Sequence, residues 1–280
     1  MNAELRHTER LVNGVRLHYL TAGSGDPVLL LHGEPTWSYL YRKMIPVFTT
    51  AGGRVVAPDL LGFGRSDKPV DDAVYTFDFH RNYLKAFIER LDLRNITLVC
   101  QDWGGLLGLT LPHEYRDRFR RMIVMNTTLA VGKAPTQGFI DWRNYVASRP
   151  DLDVAGLMKR SSPILSDAEA AAYGAPFPDQ RAKAGVRRFP QLVMTDPAMP
   201  GVEISRTARD YFRSEWDGPC FMALGAADPV LGGPVMQKLH ADIRGAGPMM
   251  VIEEAGHFVQ EWGEPIARAA LEYFAAQAKG

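Results

Sequence analysis

The sequence has little cysteine, no surplus of charge of either sign and no long apolar run. Its 32 basic residues balance 32 acidic ones, so no net charge favours a nucleic acid or an anionic membrane as a partner. No apolar stretch is long enough to cross a bilayer, and residues 1–10 lack the apolar segment of a signal peptide. We therefore expect a cytoplasmic protein that binds neither nucleic acid nor membrane.

The two cysteines, Cys100 and Cys220, each lie inside a short apolar run that is typical of a buried strand. This placement favours buried free thiols in a reducing compartment over a disulfide. The histidines and cysteines show no spacing that is typical of metal ligands. We expect neither a metal ion nor an organic cofactor.

Apolar runs of strand length alternate with helix-like stretches along the chain. Continuous apolar runs indicate parallel strands that are buried on both faces, as in a sheet flanked by helices. An earlier run with cleaner alternation, residues 15–20, favours an antiparallel edge strand. The continuous runs are residues 28–31, 54–57, 96–100, 122–125, 219–224 and 249–252, and the helix-like stretches beside them include residues 39–50, 77–91 and 265–275.

The segment at residues 127–216 has a different character. It contains no convincing buried strand and is rich in helix-sized amphipathic stretches. The economical interpretation is one α/β core with a mostly parallel central sheet, built from residues 1–126 and 217–280. Residues 127–216 would then form a helical cap inserted into that core.

Asp102 stands where a strand turns into a helix. Small residues, Cys100 and Gly104, lie two positions to either side of it, and this is the pattern of the nucleophile elbow. The helix that follows would point its N-terminus at the Asp102 side chain and favour an anion there. An aspartate that merely caps a helix fits the same pattern. The motif alone leaves both interpretations open.

Two distant residues favour a catalytic role for Asp102. His257 follows the last strand-like run, and Asp228 follows the run before it, so both are expected at strand ends. The order nucleophile, acid, histidine is that of the α/β-hydrolase fold. In that fold the backbone amides of Glu34 and Trp103 would form the oxyanion hole. Without His257, Asp228 would be interpreted as a simple turn residue before a proline.

At these residues the chain resembles the haloalkane dehalogenases, in particular the subfamily whose catalytic acid follows the later strand. The similarity covers nearly the whole chain and is weakest in the cap. It implies a nucleophile at Asp102, a base at His257, an acid at Asp228 and a halide donor at Trp103. It also implies a small apolar halogenated substrate and a halide ion as ligands, and we expect a monomer. The segments that carry the resemblance are residues 32–40, 62–69, 101–105 and 255–261.

The family also needs a second halide donor, usually a tryptophan of the cap. In one well-known member this tryptophan follows a Met-Lys-Arg triplet, but here Ser161 stands at that position. Other members place it early in the cap, where this chain has Trp142. We therefore predict Trp142 as the second donor, with Trp216 as the alternative and simple cap packing as the competing interpretation of Trp142.

Other activities remain possible on the sequence. An epoxide hydrolase has the same fold and an aspartate nucleophile, and it would need cap tyrosines such as Tyr145, Tyr173 or Tyr211 to protonate its leaving group. Glu34 and a tryptophan after the nucleophile favour dehalogenation instead. A fluoroacetate-type dehalogenase would want arginines near the nucleophile, and residues 101–103 supply none. A non-catalytic binding module would be expected to lack part of the triad.

Overall fold

The computed structural model describes residues 4–278, in which eight strands form a single sheet of order β1-β2-β4-β3-β5-β6-β7-β8. The strands from β4 and β3 through β8 pair in parallel, whereas β2 is antiparallel to both β1 and β4. The mostly parallel sheet predicted from the sequence is confirmed. The strands are β1 (Arg6–Val12), β2 (Val15–Ala22), β3 (Pro27–Leu31), β4 (Arg54–Pro58), β5 (Ile96–Gln101), β6 (Phe119–Met125), β7 (Cys220–Gly225) and β8 (Ala246–Ile252).

Helices pack around this sheet and follow most of its strands. Every residue of β3, β5 and β7 is buried, which explains the continuous apolar runs in the sequence. Cys100 and Cys220 are buried free thiols in β5 and β7, as predicted. The helices are α1 (Ile45–Thr50), α2 (Phe77–Arg90), α3 (Trp103–Gly108), α4 (Gln137–Ala147), α5 (Val154–Ser161), α6 (Asp167–Gly174), α7 (Ala184–Leu192), α8 (Val202–Ser214), α9 (Gly233–Asp242) and α10 (Gly263–Gln277).

Two predictions of local structure are wrong. The expected edge strand, β2, is the second strand of the sheet, and the edge is β1, whose side chains are mostly exposed and so carry no apolar pattern. The expected helix over residues 39–50 is instead a short 3-10 turn, Ser38–Tyr41, followed by α1. Pro46 sits in the first turn of α1, where its missing N–H is not needed, and so favours a helix that starts there.

The segment between β6 and β7 is helical. Residues 127–216, all of which the structure describes, contain α4 to α8 and a short 3-10 helix but no strand. Within the segment α5 packs against α6, and α4 packs against α7. Across residues 4–278, every helix falls short of the length and apolar character that crossing a bilayer requires.

Candidate active site

Polar side chains meet at the carboxyl edge of the parallel strands. Asp102 follows β5, Asp228 follows β7, His257 follows β8, and Glu34 lies just beyond β3. These strands all run in one direction, and ligands bind at this edge in sheets of this kind. The structure therefore brings together residues that are far apart in the chain and that the sequence predicts as one site.

The turn between β5 and α3 is sharp. Asp102 has φ 50° and ψ −125°, which is a strained conformation for a residue with a side chain. Its amide donates to the Asn126 carbonyl at 3.0 Å, and the Thr127 hydroxyl donates to the Asp102 carbonyl at 2.7 Å. A methyl group on Gly104 would collide with the Leu31 carbonyl oxygen. The predicted small residue after the nucleophile position is thus required by the close approach of β3.

The Asp102 side chain does not cap α3, which was the alternative left open by the sequence. Within residues 4–278 it makes no capping hydrogen bond to that helix. Its Oδ1 instead accepts a 2.7 Å hydrogen bond from the Glu34 amide. Of the two predicted amide donors, Glu34 therefore contacts the carboxylate, whereas no hydrogen bond from the Trp103 amide reaches it among the described residues. Oδ2 lies 3.5 Å from Nε2 of His257.

His257 lies between two carboxylates. Its Nδ1 is 2.8 Å from Oδ2 of Asp228, whose side chain is fully buried. Burial opposes a charged imidazole, but Asp228 and Asp102 outweigh it and raise the pKa of His257 to about 10. Burial likewise opposes a charged Asp228, yet the facing imidazole and the amides of Val230 and Leu231 lower the pKa of this carboxyl. The pair is therefore built to hold a proton on Nδ1.

Glu34 adds a second carboxyl beside Asp102. It is buried, and this burial together with the negative charge of Asp102 holds the pKa of Glu34 well above its ordinary value. Its Oε1 has no hydrogen-bond partner among the described residues. Two neighbouring carboxyls in a poorly solvated site do not both ionise easily, so the charge of Asp102 disfavours ionisation of Glu34.

A cavity of about 340 Å³ opens above these residues. Asp102, Asp228, His257 and Glu34 all line it, together with Trp103. Most of its remaining wall is apolar, and part of that wall comes from the helical segment at residues 127–216. The apolar side chains of the wall include Leu106, Phe139, Leu157, Val193, Val230, Leu231 and Phe258.

The two candidate tryptophans of residues 127–216 occupy different places. Trp142, on α4, lines the cavity that also contains Asp102, and so does Ser161 at the end of α5. Trp216 is 2% exposed and packs against Tyr211 and Phe212 away from the described cavity wall. A second indole is therefore available at the site besides that of Trp103, and it belongs to Trp142.

Known proteins resemble this chain over most of its length. The family model of the α/β-hydrolase fold matches residues 26–264. A haloalkane dehalogenase of Psychrobacter cryohalolentis is 45% identical over 92% of this chain and 87% of its own length. The chain belongs to the haloalkane dehalogenases. It is accordingly a hydrolase of carbon–halide bonds.

Other haloalkane dehalogenases are similarly close. That of Mycolicibacterium paratuberculosis is 41% identical over 91% of this chain and 85% of its own length. The tetrameric structure of a haloalkane dehalogenase from Paraglaciecola agarilytica NO2 superimposes with a TM-score of 0.93, at 48% identity, covering 96% of this chain and 92% of that one. The predicted fold, family and activity are thus confirmed.

The tyrosines that an epoxide hydrolase would need are elsewhere. Among the described residues, Tyr145, Tyr173 and Tyr211 are absent from the cavity wall. The Tyr173 hydroxyl instead donates to Glu261 at 2.5 Å, in a buried contact. A haloalkane dehalogenase needs no such acid, because a halide ion leaves without a proton.

Two polar residues at this site were not singled out from the sequence. Asn126, at the end of β6, donates to Asp228 Oδ2 at 2.9 Å and accepts from the Gly225 amide at 2.8 Å. Gln101, at the end of β5, lies 2.9 Å from Nε2 of His257. Both are polar residues that follow apolar strand runs, and that contrast is the signal by which they could have been found.

Proposed function

We propose that Asp102 is the nucleophile of this dehalogenase and that the reaction passes through an ester between the substrate's alkyl group and Asp102. One observation carries the proposal. Oδ1 of Asp102 is held by the Glu34 amide at 2.7 Å, while Oδ2 lies 3.5 Å from Nε2 of His257 beside the cavity. One oxygen is therefore anchored and the other is available to attack.

In the first step, Oδ2 of ionised Asp102 forms a bond to the halogen-bearing carbon. The carbon–halogen bond breaks, and the halide ion takes the bonding electron pair. A carboxylate suits this attack because it is already an anion at neutral pH. The departing halide needs hydrogen-bond donors, and the indole N–H groups of Trp103 and Trp142 are assigned that role because both residues line the cavity.

In the second step, His257 accepts a proton from water at Nε2, and the water oxygen attacks the ester carbonyl carbon of Asp102. The tetrahedral intermediate collapses, the bond between the carbonyl carbon and the alkyl oxygen breaks, and the leaving alkoxide takes the proton from His257 to become the alcohol. The regenerated carboxyl group of Asp102 then ionises, so one proton is released for each halide. The Glu34 amide donates to the oxyanion that forms on Oδ1, and Asp228 stabilises the charged imidazole.

Ester formation also prepares the base. Asp102 and Asp228 together raise the pKa of His257 in the free enzyme, and burial opposes them. Esterification removes the charge of Asp102, so the pKa of His257 falls when the imidazole has to accept a proton from water. A halide ion that stays in the cavity would work in the opposite direction.

We further infer that residues 127–216 act as a cap over a core formed by residues 1–126 and 217–280. Phe139, Trp142 and Leu157 of this segment line the cavity together with core residues. An apolar wall excludes water and strengthens the hydrogen bonds to the halide. The volume and the apolar lining of the cavity fit small haloalkanes.

The monomer and the cytoplasmic location expected from the sequence stay predictions. The relative from Paraglaciecola agarilytica NO2 is tetrameric, so a tetramer is the specific alternative for this chain. Light scattering coupled to size-exclusion chromatography separates the two states. Fractionation of the source cells tests the location.

The test of the activity compares a haloalkane with an epoxide as substrates. Purified protein is incubated with 1-bromobutane and, separately, with 1,2-epoxybutane, and halide and diol are quantified. We expect bromide and butanol in equal amounts, with no diol. Diol formation without halide release would overturn the assignment of the cavity to haloalkanes.

A further inference from the structure

The amide of Gln101 contacts the proposed catalytic base at two points. Its Nε2 lies 2.9 Å from Nε2 of His257 and donates to the His257 backbone carbonyl at 3.1 Å. Gln101 is fully buried, and it directly precedes Asp102 in the chain. One side chain thus links the residue before the nucleophile to both the ring and the backbone of the base.

The backbone contact fixes which way the amide points. A carbonyl oxygen is an acceptor, so the atom of Gln101 that faces it must be the NH₂ group rather than Oε1. The same NH₂ group then presents its second hydrogen to Nε2 of His257. Turning the amide over would place Oε1 against the carbonyl oxygen and lose the hydrogen bond to the backbone.

The opposite side of the ring agrees with this orientation. Nδ1 of His257 faces the buried carboxylate of Asp228 at 2.8 Å and therefore carries a proton. In the neutral imidazole Nε2 is then an acceptor, which is what a donor from Gln101 requires. A protonated Nε2 would instead turn two donors toward each other.

Gln101 makes these contacts at a cost. Among the described residues its Oε1 is buried without a hydrogen-bond partner. An unpaired buried oxygen is unfavourable, and a fully apolar side chain would avoid it. In this site the NH₂ group of Gln101 therefore forms hydrogen bonds, whereas its Oε1 forms none among the described residues.

We propose that Gln101 is a positioning residue that disfavours a proton on Nε2 of His257 and so opposes an ion pair between the base and the nucleophile. This inference rests on the proposed roles of Asp102 and His257. Three carboxyl groups face the imidazole from the surrounding loops: Asp228 after β7, Asp102 after β5 and Glu34 after β3. The two charged ones favour a charged ring, and Gln101 is the neutral donor that works against them.

The physical consequence concerns both steps of the reaction. A proton shared between Nε2 and Oδ2 of Asp102, which are 3.5 Å apart, would reduce the nucleophilicity of the carboxylate and block the base. The donor bond from Gln101 stabilises the unprotonated ring nitrogen and so shifts the equilibrium toward a free Oδ2, against the two carboxylates that favour the charged ring. When the hydrolytic water arrives it replaces the Gln101 N–H at Nε2, while the bond to the backbone carbonyl still holds the amide nearby.

The test measures the pKa of His257 directly. The imidazole of His257 is titrated by NMR in the free enzyme from about pH 6 to about pH 12, and its signal is assigned by its absence in His257→Phe. Gln101→Met is nearly isosteric and has no N–H donor. We expect the pKa of His257 to rise by about one unit in this variant, the effect of losing one hydrogen bond to the neutral form.

A matched control is available in the same region. Gln260 is equally buried, and both polar atoms of its amide lack partners among the described residues. Gln260→Met removes a buried amide that forms no hydrogen bond with His257, so the pKa of His257 should stay as in the wild type. Gln101→Asn, which keeps an amide but is too short to reach the ring, should behave like Gln101→Met and serves if that variant does not fold.

A kinetic readout separates positioning from mere structural support. Single-turnover bromide release should be slower in Gln101→Met than in the wild type at neutral pH. In a plot of this rate against pH, the acidic limb should move to higher pH by the same amount as the pKa of His257. An unchanged pKa of His257, with only a lower melting temperature, would overturn the inference. Normal turnover by His257→Phe would instead contradict the proposed mechanism, because that variant lacks the proposed base.

Discussion

Nδ1 of His257 lies 2.8 Å from Oδ2 of Asp228. This contact fixes the proton on Nδ1 of the imidazole, because an ionised carboxylate accepts a hydrogen bond and cannot donate one. Asp228 is itself held by the amides of Val230 and Leu231 and by Asn126, so its position leaves little freedom. Nε2, the nitrogen that exchanges a proton with water, is thereby directed toward Asp102.

Replacing Asp228 by asparagine should slow the second step more than the first. The amide can donate to Nδ1 and stabilise the wrong tautomer, in which Nε2 carries the proton and cannot act as a base. We expect turnover to fall by about 10³- to 10⁴-fold. Quench-flow measurement should show a burst of about one halide per site, slower than in the wild type because the Nε2 proton faces Oδ2 of Asp102, followed by a much slower phase. A burst that is slowed as much as the steady state would contradict the separation of the two steps.

The pH dependence of stability should reflect the raised pKa of His257. Burial lowers this pKa, but Asp228 and Asp102 raise it to about 10, above its ordinary value of 6.5. The protonated imidazole therefore stabilises the fold fully below about pH 6.5, and this contribution is lost as the pH rises toward 10. Urea unfolding at several pH values should show the decrease, and Asp102→Asn should make it smaller. If the free energy of unfolding decreased equally steeply with pH in Asp102→Asn, Asp102 would be excluded as a cause of the raised pKa of His257.

Trp142→Phe should weaken halide binding and slow halide departure. The substitution keeps the aromatic packing of α4 and removes one indole N–H from the cavity. We expect a loss of about a hundredfold in the alkylation rate, comparable to removing one oxyanion-hole donor. Quenching of tryptophan fluorescence by bromide measures the binding, and Trp216→Phe is the matched control because Trp216 is buried away from the cavity wall. Undiminished quenching in Trp142→Phe would exclude this residue as the donor.

Gly104→Ala should destabilise the fold far more than a glycine replacement in open space. A methyl group at Gly104 would collide with the Leu31 carbonyl oxygen, so β3 and α3 would have to separate. We expect a loss of about 3 kcal/mol or more in the free energy of unfolding. Gly233, in the first turn of α9, has nothing within 4 Å of such a methyl group, and Gly233→Ala should change stability by less than about 1 kcal/mol. Similar values for both variants in urea unfolding would contradict the close packing of the elbow.

The sequence was sufficient to predict the residues that meet at the strand ends. Asp102, Asp228 and His257 each follow an apolar run, and a parallel sheet brings such positions to one edge whatever lies between them. Glu34 was predicted for its backbone amide alone. The burial of its side chain and the raised pKa of its carboxyl depend on how the loops pack around Asp102, which strand periodicity does not reveal.

The remaining features depend on how separate loops pack. Gln101 and Asn126 contact the His257 and Asp228 loops, and neither contact is encoded in local sequence spacing. β1 was missed because an exposed edge strand needs no apolar face. That Trp142 lines the cavity and Trp216 does not depends likewise on how the helices of residues 127–216 pack.

The covalent ester on Asp102 is the intermediate on which the proposed mechanism depends, and its mass is the most direct test. His257→Phe is incubated with 1-bromobutane and analysed by mass spectrometry, with the Asp102→Asn, His257→Phe double variant as control. We expect the single variant to gain about 56 Da, the mass of a butyl group replacing one proton, on the peptide that contains Asp102. The double variant should gain nothing. Bromide release by the single variant without any gain in mass would contradict the ester mechanism.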